Sequence, residues 1–429
     1  MPGVETIIRM RDQQDGPFAS FAAAILLTCL TIALWGFAHR LYTTLLPELA
    51  ATEALAGPKL ALARAGLALG YVLMTLPAAF VSRNFGFKIG MVFGLGLLAI
   101  SMFLLYPAVE RHAFPFFALA ATVMGSGLAL IEVMTSCLVV FLGSKESAIR
   151  RMNLIQALVP LGALAGLFSG EHILGAVLHE TGGPTAHALM LPLFSLGTAI
   201  IALAFVVELV EFPPLAGERV APDDSTWASF APPLRLPSFR AAVVAQFLSL
   251  GAQIIIAMVA MGSFKMSVPA RPFEAAPLLV WGILAFGLGR IIGPVLMLRL
   301  NPMTVLAVFS AGGIASCLAA VTGNSSAESW GLVGAGFFLS IQFPTVFAHT
   351  IRDLGEMAKT GAAIMIFVAF SGTAVLALTA LFFSPQATQT LMVLPALCFA
   401  GLWRYALRAR REGQQPAAEL TPPAAELPQ

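Results

Sequence analysis

Residues 114–142, FPFFALAATVMGSGLALIEVMTSCLVVFL, decide the fold of this chain. The stretch contains one charged side chain, Glu132, in 29 residues. A helix needs roughly 20 apolar residues to cross the hydrocarbon core of a bilayer, so the stretch predicts a transmembrane helix. Lipid offers no hydrogen-bond partners to an irregular backbone, which excludes a loop at this depth.

Similar apolar runs recur on both sides of this stretch. The chain is 58% hydrophobic and 11% charged, whereas a soluble domain carries about 25% charged residues. We therefore predict an all-α integral membrane protein with twelve transmembrane helices. Besides 114–142, the predicted spans lie near 18–46, 62–82, 86–108, 151–175, 188–211, 240–263, 273–298, 302–321, 329–350, 359–383 and 388–407.

A polar, Pro-rich stretch divides the predicted spans into two groups of six. The fourth span ends in VVFLGSKESAIRR and the tenth in HTIRDLGEMAKTG, each with Leu-Gly and basic residues before the next helix. Repeated six-helix halves with pseudo-two-fold symmetry are similar to the major facilitator fold, where substrate binds between the halves. The predicted units are a cytoplasmic segment 1–17, an N-terminal bundle 18–211, a cytoplasmic linker 212–239, a C-terminal bundle 240–409 and a disordered cytoplasmic tail 410–429.

The distribution of Lys and Arg predicts the orientation. With the N-terminus inside, the cytoplasmic loops and ends hold 17 of the 24 basic residues and the opposite side holds 5; Arg40 and Arg290 lie inside spans. Basic residues concentrate on the cytoplasmic side of membrane proteins. Both termini are therefore predicted to be cytoplasmic, in a bacterial inner membrane.

Composition also argues against several classes of function. The net charge of +2 is too small for a nucleic-acid partner, which needs a concentrated basic face. The four cysteines lie far apart, and the sequence has neither a Cys/His cluster with metal-ligand spacing nor a phosphate-binding GxxxxGKS loop. We expect no metal, no cofactor and no enzymatic activity, because no nucleophile with a nearby His is evident.

Glu132 is the clearest functional residue. A charge within a span costs roughly 2.5–3.5 kcal/mol on insertion scales, so those present are functional candidates by default. Thr135 and Ser136 follow at three and four residues and share its helix face. A carboxyl withdrawn from water can serve as a proton-coupling group. The alternative is a structural carboxyl paired with Arg40 or bound by hydroxyls.

The first span carries a polar and aromatic stripe. Trp35, His39 and Tyr42 recur at helical spacing, with Thr43 beside them. Such a stripe suits a polar cavity better than lipid, although Trp and Tyr also anchor helices at membrane interfaces. Arg40 could bind a polar or anionic substrate, or could reach the outer interface.

Amide side chains mark two further spans. Asn153 and Gln156 share a face of the fifth span with Pro160, and Gln246 and Gln253 share one of the seventh with Ser249. Amides both donate and accept hydrogen bonds, which suits sugar hydroxyls; contact between helices is the competing explanation.

Several of these segments resemble the fucose:proton symporter family. The similar segments are ALWGFAHRLYTTLLP, GYVLMTLPAAFVSRNFGFKIGMVFGLGL, GSGLALIEV, FLGSKESAIRRMNLIQALVPLGALAG, FGLGRIIG, FLSIQFPTVFAHTIRDLG and LPALCFAG. The resemblance implies the major facilitator fold and proton-driven monosaccharide uptake by alternating access. It also implies that Glu132 is the family's buried glutamate, Trp35 its cavity tryptophan and Gln156 a sugar-binding glutamine.

The chain departs from that family at several positions. Thr43 stands where the family has an aspartate, and Val159 stands where it has a sugar-contacting asparagine. His39 and Arg40 replace two amides of the first helix. These differences put fucose itself in doubt, and His39 becomes a second candidate for proton coupling.

The sequence thus predicts a monomeric proton-coupled symporter of a sugar or small polar solute. A proton-driven exporter of a metabolite, siderophore or drug is the alternative, and a nutrient sensor is disfavoured because no signalling extension follows the last span. The predicted proton-coupling residues are Glu132 and His39. The predicted substrate-binding residues are Trp35, Arg40, Thr43, Gln156, Val159 and Gln253, and the predicted gating or structural residues are Arg290, Arg83 and Gln342.

Overall fold

The computed structural model describes eight stretches of the backbone. These are residues 4–51, 58–111, 114–181, 186–213, 230–266, 272–321, 325–380 and 391–412. Side chains are described for residues 20–45, 65–111, 114–173, 190–213, 230–260, 279–321, 326–371 and 391–412.

Helices form nearly all of the described backbone. In the N-terminal half they are α1 (Val4–Ala51), α2 (Pro58–Asn84), α3 (Gly86–Glu110), α4 (Phe114–Phe141), α5 (Ala148–Gln156), α6 (Leu158–Thr181) and α7 (Ala186–Leu209). In the C-terminal half they are α8 (Ala231–Arg235), α9 (Pro237–Met266), α10 (Pro272–Leu296), α11 (Pro302–Val321), α12 (Ser325–Leu339), α13 (Gln342–Ile351), α14 (Ala358–Ala380) and α15 (Val393–Glu412), with a 3-10 turn at Gly355–Met357 before α14.

Twelve predicted spans correspond to these helices. Ten segments within the described residues are long and apolar enough to cross a bilayer, and α14 and α15 lie where the last two spans were predicted. The fifth span consists of α5 and α6, and the tenth consists of α12 and α13. The helical architecture is therefore the predicted one, with two broken spans that the prediction treated as continuous.

The unit boundaries remain predictions. Helix α1 begins at Val4, inside the predicted N-terminal segment, and α8 lies within the predicted linker. Helix α15 ends at Glu412, three residues into the predicted tail. Residues 214–229 and 413–429 lie outside the described residues.

Two prolines explain the two breaks. In a continuous helix the N–H of each residue donates to the carbonyl four residues earlier, and proline has no N–H. Pro160 therefore leaves the carbonyl of Gln156 without a helical partner, and Pro344 does the same for Ser340. The helices are interrupted at these carbonyls, between Gln156 and Leu158 and between Leu339 and Gln342.

Helix α4 lies at the centre of the N-terminal half. In its most apolar 18-residue window 89% of the residues are buried, because α2 and α3 cover it on two sides. Glycines allow the closest approach: a Cβ on Gly125 of α4 would lie 2.0 Å from the carbonyl oxygen of Leu67 on α2. Helices α1 and α6 meet in the same way at Gly36, where a Cβ would lie 2.2 Å from the carbonyl oxygen of Val159.

This contact gives a stability prediction. We expect Gly36→Ala to destabilise the protein by about 3 kcal/mol, at the upper end of overpacking costs, because the clash is with backbone and cannot be relieved by a rotamer change. Gly96→Ala is the matched control, since no atom lies within 4 Å of a Cβ at that position. Melting temperatures of the purified variants test this; equal values for the two would contradict the described α1–α6 packing.

Candidate functional site

Glu132 lies on α4, about 14 Å along the helix axis from its end at Phe141. Its side chain is 6% exposed. Its Oε1 accepts hydrogen bonds from Ser136 Oγ at 3.3 Å and from Gln156 Nε2 at 3.2 Å. The hydroxyl of Thr135 instead donates to the Ile131 carbonyl of its own helix at 2.7 Å. Of the two hydroxyl residues singled out by spacing, only Ser136 contacts the carboxylate.

Gln156 connects Glu132 to Arg290 in the other half. Arg290 Nη1 donates to Gln156 Oε1 at 3.0 Å and also to the Gln156 backbone carbonyl. Arg290 Nε donates to the Ser340 carbonyl at 3.1 Å. These two backbone carbonyls are the ones that Pro160 and Pro344 leave without a helical partner. One guanidinium therefore donates hydrogen bonds to the free carbonyl at each helix break.

Burial makes this network electrostatically strong. The Arg290 side chain is 5% exposed and lies 4.6 Å from the centre of the Phe286 ring. Its charge attracts that of Glu132, to which it is connected through the Gln156 amide. Gly289 permits the close approach, because a Cβ there would lie 2.3 Å from Ser340 Oγ. The hydrogen-bonded chain therefore runs from α4 through α5 to α10 and the break before α13.

Arg40 takes no part in this chain. Its guanidinium interacts electrostatically with Glu171 on α6, within the same half. Its Nε is buried and has no hydrogen-bond partner among the described side chains and backbone. The carboxyl of Glu132 is thus linked to Arg290 rather than to Arg40, which was the pairing weighed from the sequence.

Aromatic residues flank the carboxyl. Trp35 Nε1 donates to the carbonyl of Leu128, one turn from Glu132, at 3.2 Å. The Trp35 and His39 rings are parallel, with centroids 5.6 Å apart. The Tyr71 hydroxyl is buried and has no hydrogen-bond partner among the described residues. The sequence analysis did not single out Tyr71; a tyrosine near the middle of the second predicted span was the available signal.

Three other predicted substrate residues make no hydrogen bond to the carboxyl network within the described part of the chain. The Thr43 hydroxyl donates to the Arg40 carbonyl at 3.0 Å, and the Val159 backbone packs against Gly36. Gln253 is exposed. Gln246, on the same helix face, is fully buried, and the Gln246 amide has no hydrogen-bond partner among the described residues. These three residues are not brought together with Glu132 by direct contacts.

Gln342 lies beside the break in the tenth span. It is fully buried; its Nε2 donates to the Phe338 carbonyl at 3.1 Å, and its Oε1 accepts from Ser310 Oγ at 3.4 Å. Both contacts stay within the C-terminal half and are compatible with the structural role predicted for this residue.

Further contacts join the halves toward the end predicted to be cytoplasmic. Asn153 Nδ2 donates to Thr345 Oγ1 at 3.0 Å. Lys359 Nζ donates to the Ser82 carbonyl at 3.1 Å, near the end of α2 and next to Arg83. The count of basic residues treated Lys359 as a residue of a cytoplasmic loop, yet its side chain is only 5% exposed.

A further contact between the halves lies nearer mid-membrane. The Tyr71 ring stacks on that of Phe370 with centroids 4.1 Å apart.

The protein is a helical membrane protein of two halves, and a buried network of a carboxylate, an amide and a guanidinium joins them. This is the organisation of a secondary transporter. The chain belongs to the Major Facilitator Superfamily, whose model matches residues 22–377. The family prediction and the twelve-helix fold are thereby confirmed, and the chain is a transporter and not an enzyme.

Curated relatives cover nearly the whole chain. The L-fucose-proton symporter of Escherichia coli (strain K12) is 27% identical over 421 residues, covering 93% of this chain and 95% of that protein. A glucose/galactose transporter of Brucella abortus is 26% identical over 397 residues, covering 89% of this chain and 93% of that protein.

Solved structures agree with the sequence relatives. The transporter FucP in the outward conformation is 26% identical and superposes with a TM-score of 0.80, covering 91% of this chain and 99% of that one; a variant structure describes FucP as the E. coli fucose:proton symporter. A proton:xylose symporter at 12% identity and a TM-score of 0.73 shows the fold alone. The predicted resemblance to the fucose:proton symporter family is confirmed; the roles of individual site residues stay predictions.

Proposed function

We propose that this chain is a proton-coupled symporter of a neutral sugar that works by alternating access. The observation that carries the proposal is the hydrogen-bonded chain from Glu132 through Gln156 to Arg290. It connects a proton-accepting group of one half to the other half through an amide suited to sugar hydroxyls. The curated relatives, described as fucose-proton and glucose/galactose transporters, support the same substrate class.

In this proposal Glu132 is the proton-coupling group. A carboxylate accepts stronger hydrogen bonds than a neutral carboxyl does. When Glu132 takes up a proton, its bond from Gln156 weakens and Arg290 loses its nearby counter-charge. The amide of Gln156 is then available to a sugar hydroxyl, and the connection between the halves is weaker. His39, stacked on Trp35, is the second candidate for a titrating group.

The arrangement of charges supports a neutral substrate. The charge of Arg40 is offset by Glu171 and that of Arg290 by Glu132. A substrate carboxylate would have to compete with Glu171 for Arg40, and with Glu132 for Arg290 as long as Glu132 is ionised. Trp35 offers an aromatic face and Gln156 an amide, which together suit a molecule with both apolar C–H faces and hydroxyls.

Topology follows from the basic residues. We propose an inner-membrane protein with both termini in the cytoplasm, acting as a monomer and without a nucleic-acid partner. The contacts of Lys359 with Ser82 and of Asn153 with Thr345 then lie on the cytoplasmic side. A carrier held together there is closed toward the cytoplasm.

Sugar-driven proton movement tests the proposed function. Purified protein is reconstituted into liposomes that contain a pH-sensitive dye, and L-fucose, D-galactose or D-glucose is added outside. We expect acidification of the interior with at least one of these sugars and none in protein-free liposomes. Alkalinisation on sugar addition would indicate exchange for protons, the predicted alternative of export, and no proton movement with any sugar would contradict the proposal.

A further inference from the structure

A groove lies between the two halves near the end proposed to be cytoplasmic. It has a volume of about 400 Å³. It is lined by α1 and α5 from the N-terminal half, and by the end of α10 and Leu298, two residues beyond that helix, from the other. Its apolar walls include Ile25, Leu154, Val295 and Leu298. Leu154 is 49% exposed and Leu298 is 65% exposed, so these walls face the bilayer rather than the protein core.

The polarity of the groove changes along its length. On α5, Arg150 and Leu154 are four residues apart and lie on one face of the helix, with Arg150 nearer the cytoplasmic end. Arg150 lines the groove and makes no hydrogen bond or ion pair within the described part of the chain. The walls of the groove are almost entirely apolar, and Arg150 places a positive charge at its cytoplasmic end.

Neighbouring charged groups are engaged elsewhere. Arg151 donates to the Val139 and Val140 carbonyls at the end of α4, at 2.7 and 2.8 Å. Glu146, in the preceding loop, has its pKa lowered by a hydrogen bond to its own backbone, then by Ser144 and by the charges of Arg352 and Lys145. Within the described residues, neither Glu146 nor another carboxylate forms an ion pair with Arg150.

We propose that this groove binds one anionic phospholipid of the cytoplasmic leaflet, with its phosphate against Arg150 and an acyl chain along Leu154, Val295 and Leu298. Basic pockets between transmembrane helices on the cytoplasmic side are suited to anionic headgroups. The lipid would contact both halves, so its affinity would differ between conformations. By linkage, its presence would then shift the balance between them.

Lipid titration of the delipidated full-length protein in detergent tests the proposal. Phosphatidylglycerol and phosphatidylcholine with identical acyl chains are added, and bound lipid is measured by native mass spectrometry. We expect the natural chain to bind phosphatidylglycerol about five-fold more tightly than phosphatidylcholine, the preference that one basic residue near the surface provides. Arg150→Gln is expected to lose this preference.

Two further variants keep the test decisive. Arg404→Gln removes an exposed arginine of α15, outside the groove, and is expected to keep the preference. Leu298→Trp fills the groove while leaving Arg150 in place, and is expected to weaken binding of both lipids. Retention of the preference in Arg150→Gln would overturn the proposal, as would displacement of phosphatidylglycerol by inorganic phosphate alone.

Discussion

Replacing Glu132 with Gln is expected to abolish accumulation of sugar against its gradient while exchange of sugar across the membrane continues. One proton moving down 100 mV provides about 2.3 kcal/mol, which supports an accumulation ratio of about 50-fold. A Gln at this position is permanently neutral and cannot carry the proton. Its amide oxygen can still accept from Gln156 and Ser136, so binding and exchange remain possible.

The measurement compares two assays on the same reconstituted protein. Uptake driven by a membrane potential and a proton gradient should fall from tens-fold accumulation to a ratio of about one. Counterflow, which needs only binding and alternation of the two states, should stay within a few-fold of the natural chain. Loss of both activities would indicate a binding or folding defect instead, and persistence of accumulation would exclude Glu132 as the coupling group.

Two matched variants separate the carboxyl from its surroundings. Ser136→Ala removes one hydrogen bond to Glu132, at 3.3 Å, but leaves the titrating group, so accumulation should persist. His39→Phe keeps a ring parallel to Trp35 and removes the imidazole. If His39→Phe, rather than Glu132→Gln, abolishes accumulation, His39 is the coupling group.

The fold was largely predictable because lipid restricts the backbone to few solutions. Apolar runs of bilayer length identified all the spans, and the cost of polar atoms in lipid drew attention to Glu132, Gln156 and Arg290 before any contact was known. These arguments need only local sequence. They identified the polar side chains whose burial in the membrane costs free energy, but not the residues with which those side chains form contacts.

Partners depend on packing between distant parts of the chain. Gln156 and Arg290 are 134 residues apart, and their contact requires the particular crossing of α5 and α10. The sequence offered Arg40 as a partner of Glu132, because nothing local shows that Arg40 faces Glu171. Helical spacing also placed Thr135 beside Glu132, but a threonine hydroxyl can satisfy itself on its own helix backbone.

The helix breaks had a signal in the sequence, but a search for apolar runs of bilayer length does not detect it. Pro160 and Pro344 each free one carbonyl, at Gln156 and Ser340, and a buried carbonyl needs a donor. An arginine in a third span, flanked by glycines that let helices approach, is a suitable donor for two carbonyls at once. In this chain the breaks lie at the two prolines whose freed carbonyls accept from a buried arginine, whereas Pro77 and Pro107 lie within the unbroken α2 and α3.

Arg290→Met is expected to destabilise the protein by about 3 kcal/mol, because removing one partner of a buried charged network leaves the others uncompensated. The side chain contributes three hydrogen bonds, to Gln156 Oε1, the Gln156 carbonyl and the Ser340 carbonyl. It also supplies the positive charge that faces Glu132. Methionine has a similar apolar length, so the loss reports on charge and hydrogen bonding more than on volume.

The double variant distinguishes charge from packing. Arg290→Met with Glu132→Gln removes both charges, so it should be more stable than Arg290→Met alone by about 1 kcal/mol, within the range for interacting residues. Melting temperatures of the purified proteins give the order. Arg404→Met, on the exposed side of α15, controls for loss of any arginine and should match the natural chain.

The order of the melting temperatures of Arg290→Met, the double variant and Arg404→Met is the informative result. An Arg290 with a purely structural role predicts a different order. If the guanidinium only fills space and binds the two carbonyls, neutralising Glu132 brings no relief, and the two changes add. If its charge is balanced by Glu132 across the two halves, the double variant recovers stability. That recovery would also mean that protonating Glu132 in the natural chain alters the contact between the halves, which is the physical step that proton coupling requires.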